Sequence, residues 1–238
     1  MRSTAVIHLE TLLQAKKLDA TVTRLDQDGQ GWPVAPSGCA MVDQALGGGW
    51  RRGELSELIG TPGAGRTSVL LDTLAKATGR DELVALVDAV DRFDPASAAA
   101  AGVDLHRLLW VRGPSVTIET ARPPLVEAAL RLAIRAGDLI LRAGGFGVVA
   151  IDLADIAPRT IRLLPHTTWL RLAHANEGRD TACVLIGDAP MGRSARGATV
   201  RLAGTPVWAG QSPQSRRLHG LKMTMAPSAM ASPVRRRA

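Results

Sequence analysis

At 238 residues the chain is long enough for one sizeable α/β domain with short appendages. Its 46% apolar content excludes a disordered chain, and 3% aromatics with no Tyr argues against a broad base-stacking surface. The net charge of +7 is concentrated at one end. Arg193, Arg196, Arg201, Arg216, Arg217, Lys222, Arg235, Arg236 and Arg237 follow Ala189 with no Asp or Glu among them, so the first 188 residues stand at −2. Such a stretch suits phosphate backbones or an acidic protein surface, or else is a solvated tail.

Taken in chain order, Val6, Leu9, Leu12 and Leu13 recur at helical spacing and predict an amphipathic helix over residues 4–17. The polar linker 26–31 separates it from a body in which buried-type strands alternate with helices. Strands are expected at 54–59, 83–89, 108–111, 148–153 and 182–186, and helices at 67–77, 124–143 and 163–175. Residues 198–203 and 207–209 read as a closing hairpin. This alternation predicts a mostly parallel, twisted sheet covered on both faces. The implied organisation is a helix and linker over 1–30, a core over 31–210, and a basic Pro/Ser/Arg-rich tail over 211–238, poorly ordered from Ala226. Cys39 and Cys183 are read as unpaired thiols, and neither they nor the five His show ligand-like spacing. Trp32, Trp50, Trp110, Trp169 and Trp208 are read as core or docking anchors rather than base stackers. No apolar run has the length of a membrane span and no signal peptide is evident, which predicts a cytoplasmic protein.

One motif carries chemistry. Gly60-Thr-Pro-Gly63-Ala-Gly65-Arg66-Thr67, followed by Ser68, has the spacing of a phosphate-binding loop, G-x-x-x-x-G-K-[ST], between a strand and a helix. In such loops the glycines let backbone N–H groups turn toward phosphate, and the helix N-terminus adds partial positive charge. Thr67 would hold Mg²⁺. Arg66 replaces the usual Lys; its planar fork is wider than an ammonium, so phosphate could still be cradled by the backbone while transition-state stabilisation suffers. Val148-Val-Ala-Ile-Asp152 fits the second acid of such a site, with Asp152 facing Mg²⁺.

The order of pieces resembles RecA: Ser37-Gly-Cys-Ala-Met-Val-Asp43, Leu46-Gly-Gly-Gly-Trp50 and Arg52-Gly-Glu-Leu-Ser-Glu-Leu-Ile-Gly60 look like its approach to the phosphate loop, and Val87-Asp88-Ala89 with Asp94-Pro95 like its next strand and helix. The fold so implied is a RecA-like core of mostly parallel sheet flanked by helices. Gly47-Gly-Gly-Trp50 with Gly53-Glu-Leu55 and Glu57-Leu-Ile59 is similar, more specifically, to the ImuA family, RecA-like proteins associated with mutagenic translesion synthesis. The resemblance implies ATP and Mg²⁺ as candidate cofactors, with Asp94 at the adenine edge. It implies docking on RecA, or on another copy, through Val6, Leu9 and Leu13. The partners implied are RecA, ImuB, the translesion polymerase assembly and DNA, with a nucleoid location. Arg193 and Arg196, in a loop matching a DNA-binding region, and Arg216, Arg217, Lys222, Arg235, Arg236 and Arg237 are the candidate DNA or partner contacts.

The departures bear on activity. Val90 stands where RecA has the glutamate that activates water, Ser97 where an aromatic stacks on adenine, and Asp188 where a Gln senses nucleotide. Losing a general base typically costs about 10²–10⁴-fold. The expectation is a binding protein of DNA-damage tolerance with a degenerate ATP site. A slow DNA-stimulated ATPase or recombinase is the alternative, and a SulA-like inhibitor of cell division a third.

Overall fold

Wholly apolar runs alternating with amphipathic ones can bury their surface only as a sheet between helices, and that is the architecture found. The computed structural model of the protein describes residues 33–115 and 122–225. The expected N-terminal helix, with Val6, Leu9 and Leu13, and the terminal Arg235, Arg236 and Arg237 lie outside the described residues. In chain order the elements are β1 (Val34–Ala35), α1 (Ala40–Leu46), β2 (Trp50–Arg51), β3 (Leu55–Gly60), α2 (Arg66–Thr78), β4 (Val84–Asp88), α3 (Pro95–Ala100) and β5 (Leu108–Arg112). There follow α4 (Pro123–Ala143), β6 (Val148–Asp152), α5 (Pro158–Ile161), α6 (His166–Asn176), β7 (Ala182–Gly187), β8 (Thr199–Ala209) and β9 (Arg217–Met225).

Seven strands form one sheet in the order β5-β4-β6-β7-β3-β8-β9, parallel throughout except for the final β8–β9 pair. The mostly parallel sheet flanked by helices expected from the sequence is thus present. Register sets the ends of the central strands level: Asp88 lies opposite Asp152, Asp152 opposite Ile186, and Ile59 opposite Gly187. The connections leaving β3, β4, β6 and β7 therefore emerge side by side, where ligands of open α/β sheets bind.

Each sheet face has its own core. On one, Val126, Leu130, Ile134 and Leu141 of α4 and Leu172 of α6 pack on Val149 and Ile151. On the other, Val42, Val69, Leu70 and Leu74 cover Leu58, Leu86, Ala150 and Val184. Burying each such side chain contributes about 1.5–3 kcal/mol.

The structure corrects the sequence reading in three places. The helix expected over 163–175 starts only at His166, as α6, because Pro165 at its start offers no N–H and restricts the residue before it; a separate short helix, α5, precedes it. Residues 198–209 are not a hairpin but one strand, and its partner is residues 217–225 of the expected tail. Gly204-Thr205-Pro206 looks like a turn in sequence. Pairing of β8 to β3 stops at Leu202, so Pro206 lies beyond it on a stretch with β9 as its one partner strand, where a proline is tolerated. Third, the strand expected over 83–89 spans only Val84–Asp88, and the backbone turns beyond it, with Asp91 at φ 61°.

Candidate functional site

The loop after β3 has the turn its glycines predict. Gly63 and Gly65 lie at φ 78° and 97°, a region that side-chain-bearing residues avoid, and Gly65 caps α2 without a side chain. The first N–H groups of α2 are therefore left without a side-chain cap, with the partial positive charge of a helix start. Thr67 and Ser68, on the first turn, are exposed.

Arg66, the first residue of α2, is only 7% exposed. Its Nη1 donates a short hydrogen bond to Asp188 Oδ1, just past β7, and its Nη2 lies 3.8 Å from Asp155 Oδ1. The backbone N–H of Asp155 donates to the same Asp188 oxygen at 3.4 Å. The cation that would meet phosphate is thus neutralised by carboxylates of its own chain.

Asp152 closes β6 as expected and accepts the Ala154 N–H at 2.9 Å. Burial pushes its pKa up to about 6; Asp88 and Asp155 push the same way, while the Ala154 N–H and Arg66 oppose them. Asp88 is consumed structurally, accepting from the N–H groups of Arg92 and Phe93 at 2.9 and 2.8 Å and from Trp110 Nε1 at 3.3 Å. Val90 is buried in the core and supplies no acceptor. Asp91 forms a two-pronged pair with Arg112, both contacts 2.9 Å, which holds its carboxyl below the usual range. Asp94, expected at an adenine edge, caps α3: it accepts from the Ser97 hydroxyl and from the N–H groups of Ser97 and Ala96, which lower its pKa.

The β8–β9 pair crosses the loop. A side chain at Gly204 would collide with the Gly63 carbonyl, and Met223 and Leu221 of β9 fill the space beside Gly65. The connection from β7 to β8 is fixed from below by β3. Glu57, 2% exposed, accepts from the N–H groups of Met191 and Gly192 at 2.6 and 2.7 Å and from Thr199 Oγ1 at 2.6 Å. Glu54 accepts from Ser194 Oγ and from Arg196 Nε at 2.9 Å. Arg193 folds back on its own loop, Nη1 donating to the Gly197 carbonyl at 2.9 Å. Of the basic residues expected to reach phosphate or a partner, Arg196 is therefore ion-paired and Arg193 hydrogen-bonded within the domain. Arg216, Arg217 and Lys222 lie exposed on or beside β9.

The structure brings Gly60, Gly63, Gly65, Arg66, Thr67, Ser68 and Asp152 to the same edge of the sheet, and places Asp94 in a helix cap. Sequence reasoning missed Asp155, Glu54 and Glu57, and treated Arg66 and Asp188 as separate losses. The signal was available: a bulkier cation and a new carboxylate at two positions of one resemblance are a matched exchange. The glycine cradle fits a phosphate group, but a buried cation satisfied by Asp188, with Asp155 beside it, does not fit tight binding of Mg·ATP.

Among the described residues no His/Cys/Asp/Glu cluster suited to a metal ion is found, and no helix is long and apolar enough to cross a membrane. The RecA N-terminal domain family model matches residues 11–160. The chain is similar to protein RecA of Picosynechococcus sp. (strain PCC 7002), 34% identical over 125 residues, covering 52% of this chain and 32% of the relative. It is similar also to protein RecA of Treponema denticola, 33% over 128 residues (53% and 28%), and of Salinispora tropica, 35% over 128 residues (53% and 33%). The match spans about a third of the length of these curated relatives.

Proposed function

The chain belongs to the RecA N-terminal domain family, and from that membership together with the Arg66–Asp188 pair we propose that it is an accessory protein of DNA-damage tolerance that acts by binding rather than by ATP turnover. One observation carries the reading: an internal carboxylate occupies the guanidinium that nucleotide would need. Binding ATP would require breaking that pair and bringing triphosphate close to Asp188 and Asp155, whose charges repel it. Val90 removes the water-activating acid as well. The GGGW…GELSEL signature shared with ImuA-type proteins supports the more specific assignment. In that reading the partners are RecA, ImuB and, through them, the translesion polymerase, with DNA engaged by the basic C-terminal segment.

The signature residues have structural work that suits a binding scaffold. Trp50 is 1% exposed and donates to Thr73 Oγ1 at 3.3 Å. Arg52 bridges Glu82 at 2.7 Å and the Asp180 carbonyl at 2.9 Å, and Glu54 and Glu57 hold the loop before β8. A slow DNA-stimulated ATPase is the second reading, favoured by the retained glycine cradle, Thr67 and Asp152.

The test follows nucleotide binding and phosphate release together, with Mg²⁺ and single-stranded DNA, for the natural chain and for Arg66→Lys/Asp188→Gln. We expect no phosphate release from the natural chain and nucleotide binding gained only in the double variant. DNA-stimulated turnover by the natural chain would put the ATPase reading first. Unchanged growth of RecA filaments with the protein in excess removes RecA as a direct target.

A further inference from the structure

β8 pairs with β3 only as far as Leu202, opposite Gly60 at the end of β3, and its pairing to β9 begins there. Beyond it, residues 203–209 have only β9 as partner, so β8 and β9 leave the domain as a two-stranded ribbon closed by the turn at 210–216. The ribbon is unusual in what it exposes. Val207, Trp208 and Leu218 are 41, 48 and 63% exposed, and Trp208 stands opposite Leu218 next to a bulge. The Arg216 guanidinium lies 5.2 Å over the Trp208 ring. Arg217 and Lys222 are exposed along β9, and from Ala189 to the end the chain has no carboxylate side chain to balance them.

Protection of a sheet edge explains part of this. β9 is the last strand, and basic side chains on such an edge deter pairing with other chains. That device replaces apolar groups with charge, however, and leaves the exposed Trp208 and Leu218 unexplained.

We propose that the ribbon tip is a binding platform for single-stranded nucleic acid: Trp208 stacks on a base while Arg216, Arg217 and Lys222 meet the backbone phosphates. A solvent-exposed aromatic among basic residues is the combination that binds single strands without reading sequence. A bulky protein partner is disfavoured because one Trp, one Leu and one Val fall short of the roughly 800 Å² per side of a stable interface. A second copy is disfavoured because two tips, each basic and without acids, repel. Duplex DNA is disfavoured because its bases are already stacked and offer the indole no free face. The inference rests on the proposed binding function and adds to it a site and a ligand class, at a place remote in sequence from the phosphate loop.

The test is titration of the full chain with a fluorescein-labelled deoxythymidine oligomer and with a duplex of the same length, over a range of salt. Trp208→Ala should weaken single-strand binding about 5- to 100-fold, and Trp208→Phe should keep most of it. The oligomer should quench natural-chain fluorescence more than that of the Phe variant. Arg217→Ala/Lys222→Ala should lower the salt slope by about 1.4, at about 0.7 per phosphate contact. Because these side chains are exposed, unchanged melting of each variant provides the folding control.

Tight oligomer binding that Trp208→Ala leaves intact overturns the ribbon site while leaving the binding function standing. Preference for duplex overturns it too. Absence of any DNA binding removes this inference together with the DNA part of the proposed function, and the RecA filament assay then judges what is left of that function.

Discussion

Arg66 gives the site its character at the scale of single residues. A guanidinium held in a protein interior needs its counter-charge, and removing one partner of such a pair costs about 3–5 kcal/mol when both are fully buried. Asp188 is partly exposed and Asp155 remains, so Asp188→Asn should cost less, about 2 kcal/mol by urea unfolding at pH 7. Arg66→Met, which removes the charge and keeps an apolar stem, should cost less again. If Asp188→Asn proved neutral, the pair would not be holding the loop. Asp152 makes a prediction of opposite sign. Its folded pKa of about 6 lies above the ordinary carboxyl value of 3.8, so between these values the native state binds more protons than the unfolded one. Stability then falls as pH rises from about 4 to 6, and at pH 7 the ionised carboxyl is a burden of about 3 kcal/mol. Asp152→Asn should raise stability at pH 7 and flatten that slope. A variant less stable than the natural chain at pH 7 would show that the carboxylate is compensated in the fold.

The elements differ in how far the sequence announced them. β4, β6 and β7 were legible because apolar runs suit strands buried on both faces, β3 because it leads into the glycine-rich phosphate loop, and α2 and α4 because their apolar spacing is helical. The ribbon was not. Its outer half is exposed on both faces, so no alternation of apolar and polar residues marks it, and a Gly-Thr-Pro run imitates a turn. The capping role of Asp94 went unread because a helix cap and a ligand use the same residue type. Glu54 and Glu57 were passed over because a charged residue inside a strand gives no hint of which distant amides it accepts. Glu57 has the larger consequence: Glu57→Ala strands the N–H groups of Met191 and Gly192, each at about 1–3 kcal/mol if left unpaired. The segment 188–198 should then exchange its amide hydrogens and be cut by protease well before the sheet is. Unchanged protection there would mean that Glu54 and Ser194 alone hold the segment.

At the scale of the whole molecule, two cores share one set of strands. Trp50 lies in one core and Trp169 in the other. Because β3, β4, β6 and β7 carry side chains into both, neither face can melt while its strands stay in place. Variants retaining only Trp50 or only Trp169 should therefore report the same urea midpoint. Separated midpoints would mean that the helical layers detach independently. The family was legible at this scale because its signature is a packing device: Trp50 and Arg52 fix how the chain enters the sheet whatever the site does. The site's altered chemistry was only half legible, since Arg66 and Asp188 are 122 positions apart and only the fold makes them neighbours. That separation constrains descent. A lineage carrying Arg and Asp at these positions cannot return to Lys and Gln by one substitution. Changing Asp188 first strands the guanidinium, and changing Arg66 first leaves a carboxylate beside the new ammonium. Each intermediate is less stable or keeps a carboxylate against the phosphate loop, so under the proposed binding function selection for ATP use has no gradual slope to climb, and the exchange acts as a ratchet.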